Sequence, residues 1–302
     1  MASSLKRTGH GIVGASMTRT ATQPTGPASA GDLLRQWRDL RGVSQLDLAL
    51  DAGVSQKHIS FVESGRSQPS PQMVIDLAEA LDVPLRERNA ILLAAGFAPR
   101  YSEAALDAPL LTRLTGALRR MLKQNEPFPA MVMDRHWNVV LANDAAPRFF
   151  GCFTDLAARP PPRNLLRVIF DPEGLRPFIV DWPATSRMLL ARVHREALGG
   201  TLDPGTRTLM DELGRYPDVD IRRRAAMADA ASPLIPMTFA KDGVVLSYFS
   251  LITTVGTPQA VAAQELRLEC MIPADDATER LHEEFVARHA REPKVSTTGK
   301  PV

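Results

Sequence analysis

The segment that most limits how this chain can fold is Gln45–Ser64, with the sequence QLDLALDAGVSQKHISFVES. Two short helices that cross steeply on a tight turn need small residues where they touch, a turn residue free to adopt positive φ, and apolar positions that close on one another. Ala49 and Ala52 meet the first need and Gly53 the second. Val54, Ile59 and Val62 point back at Leu48 and meet the third. Ser55 is placed to cap the second helix, its hydroxyl accepting a free backbone N–H. All of these features in register predict a helix-turn-helix, against the plainer alternative of an ordinary helix pair with a glycine turn.

Such a motif lays the first turn of its second helix against base edges in the major groove. Gln56, Lys57, Ser60 and Phe61 are therefore the expected base readers. Glutamine pairs in bidentate fashion with adenine, lysine donates to guanine, and an apolar ring suits a thymine methyl. Phe61 equally suits packing against a neighbouring helix. Arg41, Ser44, Gln45 and Arg66 bracket the motif as expected phosphate contacts, which position a protein without reading sequence. His58 falls off the base-reading face and is read as a surface or phosphate-near residue and not a metal ligand.

The flanking sequence extends the helical pattern. Leu33, Leu34, Trp37 and Leu40 lie at helical spacing and mark a helix from about Asp32 that Gly42 ends. Ser44 caps the next, another begins at Ser55, a fourth follows Pro71, and a fifth covers Leu85–Ala94 before Gly96. An all-α domain over 31–97 is expected, followed by a linker over 98–109. From 110 to 290 the pattern becomes mixed α+β. It opens with a helix over Leu110–Lys123. Strand-like runs lie at Ala130–Asp134, Asn138–Ala142, Leu234–Ala240, Val244–Thr254 and Leu266–Ile272, with helices at Pro183–Ala197 and Pro204–Tyr216. The first two runs form a hairpin on a tight turn at Asp134–Trp137. A curved antiparallel sheet with helices on one face leaves a cavity between the layers.

Residues 1–30 and 291–302 are polar and read as a disordered arm and tail. The arm contains a literal G-x-G-x-x-G at Gly9–Gly14, without the preceding strand that a dinucleotide site requires. With 44% hydrophobic and 23% charged residues among 302, the chain suits two ordinary globular domains. No stretch has the length of apolar sequence that crosses a bilayer, and nothing resembles a secretory leader, so a cytoplasmic protein is expected. The net charge of +2 gives no global field for nucleic acid, which leaves the DNA reading to local pattern. Cys152 and Cys270 are read as free thiols. No P-loop, nucleophile elbow, H-E-x-x-H or paired-cysteine motif occurs, so neither an enzyme nor a bound cofactor or metal is expected. His194 with Glu196, His282 with Glu283, Asp275-Asp276 and Arg222–Arg224 read as surface charge.

The run Ser44-Gln45, Leu48-Ala49, Gly53-Val54-Ser55-Gln56, Ile59-Ser60 and Glu63-Ser64-Gly65 resembles the Cro/C1-type, xenobiotic-response-element family of regulators. Beyond it, Leu85–Phe97, Met131–Asn138, Asn164–Arg167, Asp181-Trp182 and Thr253–Pro258 resemble the MmyB-like class. The resemblance implies a five-helix lambda-repressor-like domain and a PAS-like ligand-binding domain in a one-component transcription regulator. In this family Gln45 and Gln56 would support each other against the DNA, and Glu63 would be structural. A homodimer on double-stranded operator DNA is implied, with a small apolar effector such as a fatty acid. Trp137, Phe170, Trp182, Met188, Phe239 and Tyr248 are the expected pocket lining, although each suits a plain core. Arg187 and Arg192 are the nearest cations for a ligand carboxylate. Asp181 stands where this class is expected to carry Asn. The alternative is that the C-terminal domain is a protein-interaction or dimerisation module without a ligand.

Overall fold

A computed structural model describes residues 28–104, 108–159, 161–197, 203–219 and 236–289. The Gly9–Gly14 run, Arg222–Arg224 and the tail after Arg291 lie outside the described residues. The N-terminal part is built from α1 (Ala30–Arg41), α2 (Gln45–Asp51), α3 (Gln56–Glu63), α4 (Pro71–Ala80) and α5 (Leu85–Ala94). Short polar side chains set where these helices begin. Ser29 and Asp32 form a capping box that starts α1 ahead of the expected Asp32. Ser44, Ser55 and Ser70 cap α2, α3 and α4 through hydroxyls that accept backbone N–H groups. Gly42 ends α1 at φ 67°. Leu34, Trp37, Leu48, Ile59, Val62, Val74, Leu77 and Ile91 share one core. Leu40 departs from expectation and stays exposed, because the buried stripe of α1 runs through Ala30, Gly31, Leu34 and Trp37.

A single 3-10 turn, Pro109–Leu111, leads into α6 (Thr112–Gln124). The strands are β1 (Ala130–Met133), β2 (Val139–Ala142), β3 (Met237–Lys241), β4 (Val244–Thr254) and β5 (Arg267–Pro273). They form one antiparallel sheet in the order β2-β1-β5-β4-β3. The helices are α7 (Ala145–Gly151), α8 (Leu165–Phe170), α9 (Trp182–Glu196), α10 (Pro204–Leu213), α11 (Val261–Glu265) and α12 (Asp276–His289).

Both faces of this sheet are covered over β1 and β5. Leu118 and Leu122 of α6 pack on Ala130, Val132 and Leu268. Met131, Met133 and Met271 join the main core on the other side with Phe149, Phe170, Leu189 and Phe285. Strand β1 is consequently buried at all four positions, which explains its continuous apolar sequence. The result is the helical domain followed by an α+β domain built on one five-stranded antiparallel sheet. No helix among the described residues is long and apolar enough to cross a membrane.

Asp181 sits at φ 50° and caps α9 by accepting a hydrogen bond from the Ala184 N–H at 3.2 Å. Aspartate and asparagine both tolerate that left-handed conformation and both offer the oxygen, so the Asp-for-Asn exchange preserves the cap.

Candidate DNA interface and ligand cavity

The helix-turn-helix is held by a charged network at its edge. Glu63, only 5% exposed, accepts from Arg38 Nε at 2.6 Å and Nη2 at 3.1 Å, and from Gln45 Nε2 at 2.8 Å. The hydrogen bond to Glu63 holds the Arg38 guanidinium above its ordinary pKa. Glu63 is thus structural, as the resemblance implied. The expected pairing of Gln45 with Gln56 is corrected, since the Gln45 amide donates to Glu63. Arg38 escaped the sequence reading because its partner lies 25 residues away.

With that frame fixed, α3 presents Gln56 and Lys57 exposed in its first turn, and Ser60 and Phe61 half-buried one turn on. The Phe61 ring lies between two cations, Lys57 Nζ at 5.5 Å and Arg66 Cζ at 5.8 Å from its centroid. Arg66 is exposed. The Ser44 hydroxyl is engaged at its own helix terminus with Asp47, at 2.7 Å. Arg41 has a different task from the expected phosphate contact. Its Nε and Nη2 donate to the carbonyls of Leu81 and Asp82 at 2.9 and 2.7 Å, tying α1 to the end of α4.

In the sheet domain the expected lining residues separate into two groups. Trp137, Arg192, Phe239 and Tyr248 meet around an inner cavity of about 20 Å³, room for roughly one water. Phe170, Trp182 and Met188 do not line it. Phe170 and Trp182 pair edge to face at 4.9 Å, and Met188 packs against the outside of the core. Arg192 is corrected as a carboxylate partner, because its guanidinium is already neutralised. It donates to Glu196 at 2.5 Å and to both oxygens of Glu269 at 3.2 and 2.8 Å, while stacking 4.5 Å over Trp137. Arg267 pairs with Glu196, and the Ser250 hydroxyl with Glu269, to close the network. Arg187 does not line the cavity.

His282 and Glu196 also differ from their reading as surface charge. His282 is 2% exposed, with Nδ1 2.6 Å from the Tyr248 hydroxyl and Nε2 3.0 Å from the Pro127 carbonyl. Burial pulls the imidazole below its ordinary pKa and pushes the Tyr248 phenol upward.

Sequence reasoning missed a larger cavity, of about 240 Å³, between β2, α7 and α8. Its walls are largely apolar, formed by residues such as Val139, Ala146, Pro147, Leu156, Pro162 and Val168. Arg163 is the one charged residue among its described lining. The Arg163 Nε donates to the Leu156 carbonyl at 3.1 Å. Met131, Phe150 and Leu165 line both cavities and form the wall between them. Of the helices that build this pocket, α7 is only seven residues long and α8 is buried at five of its six positions, so neither carries a long amphipathic period to read.

A capped, exposed recognition helix joined to a cavity-bearing antiparallel-sheet domain defines a DNA-binding transcription regulator with a ligand-binding domain. The comparisons agree with that class. Residues 34–88 match the helix-turn-helix family, and residues 114–284 match the family described as MmyB-like transcription regulator ligand binding domain. The second match spans more than half of the chain, and the protein belongs to the MmyB-like transcription regulators. No curated protein matches the sequence. Among solved structures, one described as an RNA-binding Light-Oxygen-Voltage receptor aligns over 85% of this chain at 12% identity and a TM-score of 0.23. The alignment covers 61% of that structure's chain.

Proposed function

We propose that this protein is a cytoplasmic one-component regulator that binds operator DNA as a homodimer and answers to a small apolar effector. Gln56, Lys57, Ser60 and Phe61 read bases, and Ser44, Gln45 and Arg66 settle the domain on phosphates. The observation that carries the reading is the exposure of Gln56 and Lys57 at the start of α3, a helix fixed by its Ser55 cap and the Glu63 network. Selection of bound duplexes from a random pool tests it. A two-fold symmetric site recovered by the wild type is the expected outcome, with half-sites about one helical turn apart. A pool that shows no enrichment overturns the reading.

The effector of this proposal is fatty-acid-like. Its chain occupies the 240 Å³ cavity and its carboxylate pairs with Arg163 at the rim in place of the neutralised Arg192. That volume lies just under the roughly 300–1,000 Å³ of typical ligand sites, and movement of Phe150 would join it to the inner cavity. Native mass spectrometry with decanoate as probe checks this assignment. One bound molecule per chain is expected, lost on Ala146→Phe and weakened on Arg163→Gln. An affinity unchanged by both substitutions removes the site.

A second reading, in which the sheet domain serves association without a ligand, is favoured by the outer face of β4. Val245 and Leu251 lie on that face at 54% and 52% exposure. Leu251→Glu would then dissociate the dimer in light scattering and leave decanoate binding untouched.

A further inference from the structure

The helical domain and the sheet domain meet across a polar seam. From the helical side, Arg86 of α5 donates to both oxygens of Glu265 on α11, at 2.7 and 3.0 Å, and to Glu103 at 2.8 Å. The Leu85 N–H at the start of α5 donates to Gln264 Oε1 at 2.7 Å. Buried Asn89 ties the connecting segment to α5, its amide donating to the Tyr101 carbonyl at 2.8 Å. Ser102 continues into a β-bridge with Ala260, just before α11. From the sheet side, the turn between β1 and β2 contributes Arg135, which lies 3.3 Å from Glu265, 3.4 Å from Asp203 and 3.9 Å from Glu87. His136 Nε2 lies 2.9 Å from Asp203, the cap of α10.

The next residue in that turn faces the opposite way. Trp137 is 2% exposed, walls the inner cavity and carries Arg192 on its ring. It is held at φ 67°, a conformation that bulky residues seldom adopt. The Asp134 carboxylate enforces it by accepting from the backbone N–H groups of His136 and Asn138, at 2.8 and 2.9 Å. Arg135 therefore reaches across the seam to Glu87, His136 is tied to Asp203, and Trp137 forms the cavity wall, all on one braced turn.

The charges at the seam make this turn consequential. Glu87, Glu103, Asp203 and Glu265 bring four carboxylates against the two guanidiniums of Arg86 and Arg135. Among the described residues, one oxygen of Glu87 is buried without a hydrogen-bond partner. Withdrawal of Arg135 would leave Glu87 of α5 without that guanidinium in a part-buried setting and would weaken the direct tie between the turn and α5.

We propose that the Asp134–Trp137 turn couples the ligand cavity to the DNA-binding domain. Displacement of Trp137 by a cavity occupant moves Arg135 off Glu87 and loosens α5. The inference rests on the reading above that the sheet domain holds an effector. Such an effector biases the turn only through different affinities for its two positions.

Amide hydrogen exchange on the full chain, read at α5, tests it. Trp137→Phe alters only the cavity side and Arg135→Gln only the seam side. Each is expected to accelerate exchange in α5 about fivefold or more. The double variant should be no faster than the faster single, since both act through one route. Effects that multiply, or a Trp137→Phe protein with unchanged α5, overturn the coupling. Should Trp137→Phe fail to fold, Leu189→Phe replaces it, because Leu189 lines the same inner cavity as Trp137 and a larger ring there presses on that cavity from α9. Decanoate separates the two layers of the proposal. Protection of the cavity strands without any change in α5 removes the coupling and keeps the effector. A non-additive cycle with no response to decanoate keeps the coupling and removes the fatty-acid-like effector.

Discussion

Lys57 and Phe61 form a small cationic-aromatic surface on α3, and their contributions to DNA binding are separable. If Lys57 donates to guanine, Lys57→Ala costs about 1–3 kcal/mol on the selected operator and relaxes choice at one base pair. Equal losses on operator and random duplex in a binding titration would assign Lys57 to phosphate. Beneath that surface, Glu63→Ala removes the shared acceptor of Arg38 and Gln45 and leaves the guanidinium, whose side chain is 13% exposed, without its strongest partner. Breaking a largely buried pair in this way is expected to cost about 3 kcal/mol in denaturant unfolding. His282 affects stability through its proton. Because burial lowers its pKa in the folded protein, the unfolded chain protonates first as pH falls through about 6.5. Stability should therefore be full above that pH and decline below it, by up to about 1.4 kcal/mol per pH unit. His282→Gln is expected to flatten this part of the profile in unfolding measured from pH 7 to 5. An unchanged profile would mean that another group dominates the acid response.

Among the elements, α1 and α3 approach so closely that only glycine fits at one crossing. A Cβ on Gly31 would stand 2.2 Å from the Val62 carbonyl oxygen, which is backbone and has little freedom to retreat. Gly31→Ala is expected to destabilise the helical domain by about 1–3 kcal/mol and to weaken operator binding, with the sheet domain's circular dichroism and decanoate binding preserved. Wild-type stability in that variant would show that the helices slide apart without penalty. The turn between β1 and β2 and the start of α9 use the same device, a residue other than glycine in the left-handed region. At Asp181 a short carboxylate serves both the conformation and the cap. At Trp137 the conformation is imposed from outside, by Asp134.

The whole molecule consists of two cores joined by charge. The apolar residues of the helical domain and those of the sheet domain form separate clusters, and the seam between them is carried largely by Arg86, Arg135 and Glu265. Glu265→Ala should therefore uncouple the domains in scanning calorimetry, splitting one transition into two as the helical domain melts earlier. A single undivided transition would place the coupling elsewhere. The thiols should be weakly reactive in the folded state, since burial raises the Cys152 pKa to about 11 and raises that of Cys270 as well. Labelling of buried Cys152 by a thiol reagent at neutral pH should then follow global unfolding, with half-buried Cys270 reacting sooner.

Local chemistry determined much of this protein. Ser44, Ser55, Gly42 and Gly53 carry their instructions within a few residues, so the helix-turn-helix and the limits of α5 and β4 were legible from sequence. The hairpin at Asp134–Trp137 was legible for the same reason. What stayed hidden depends on residues far apart in the chain. Arg38 meets Glu63 across 25 positions, and Arg86 meets Glu265 across 179. Arg192 has one partner, Glu196, within a helical turn, but Glu269, which takes both of its remaining nitrogens, lies 77 positions away. The larger cavity was equally invisible, because its size is set by how α7 and α8 stack on β2 and not by any one side chain. Sequence by itself fixes conformations that neighbours can satisfy. Charge pairing and empty volume are properties of packing, and only the tertiary structure decides them.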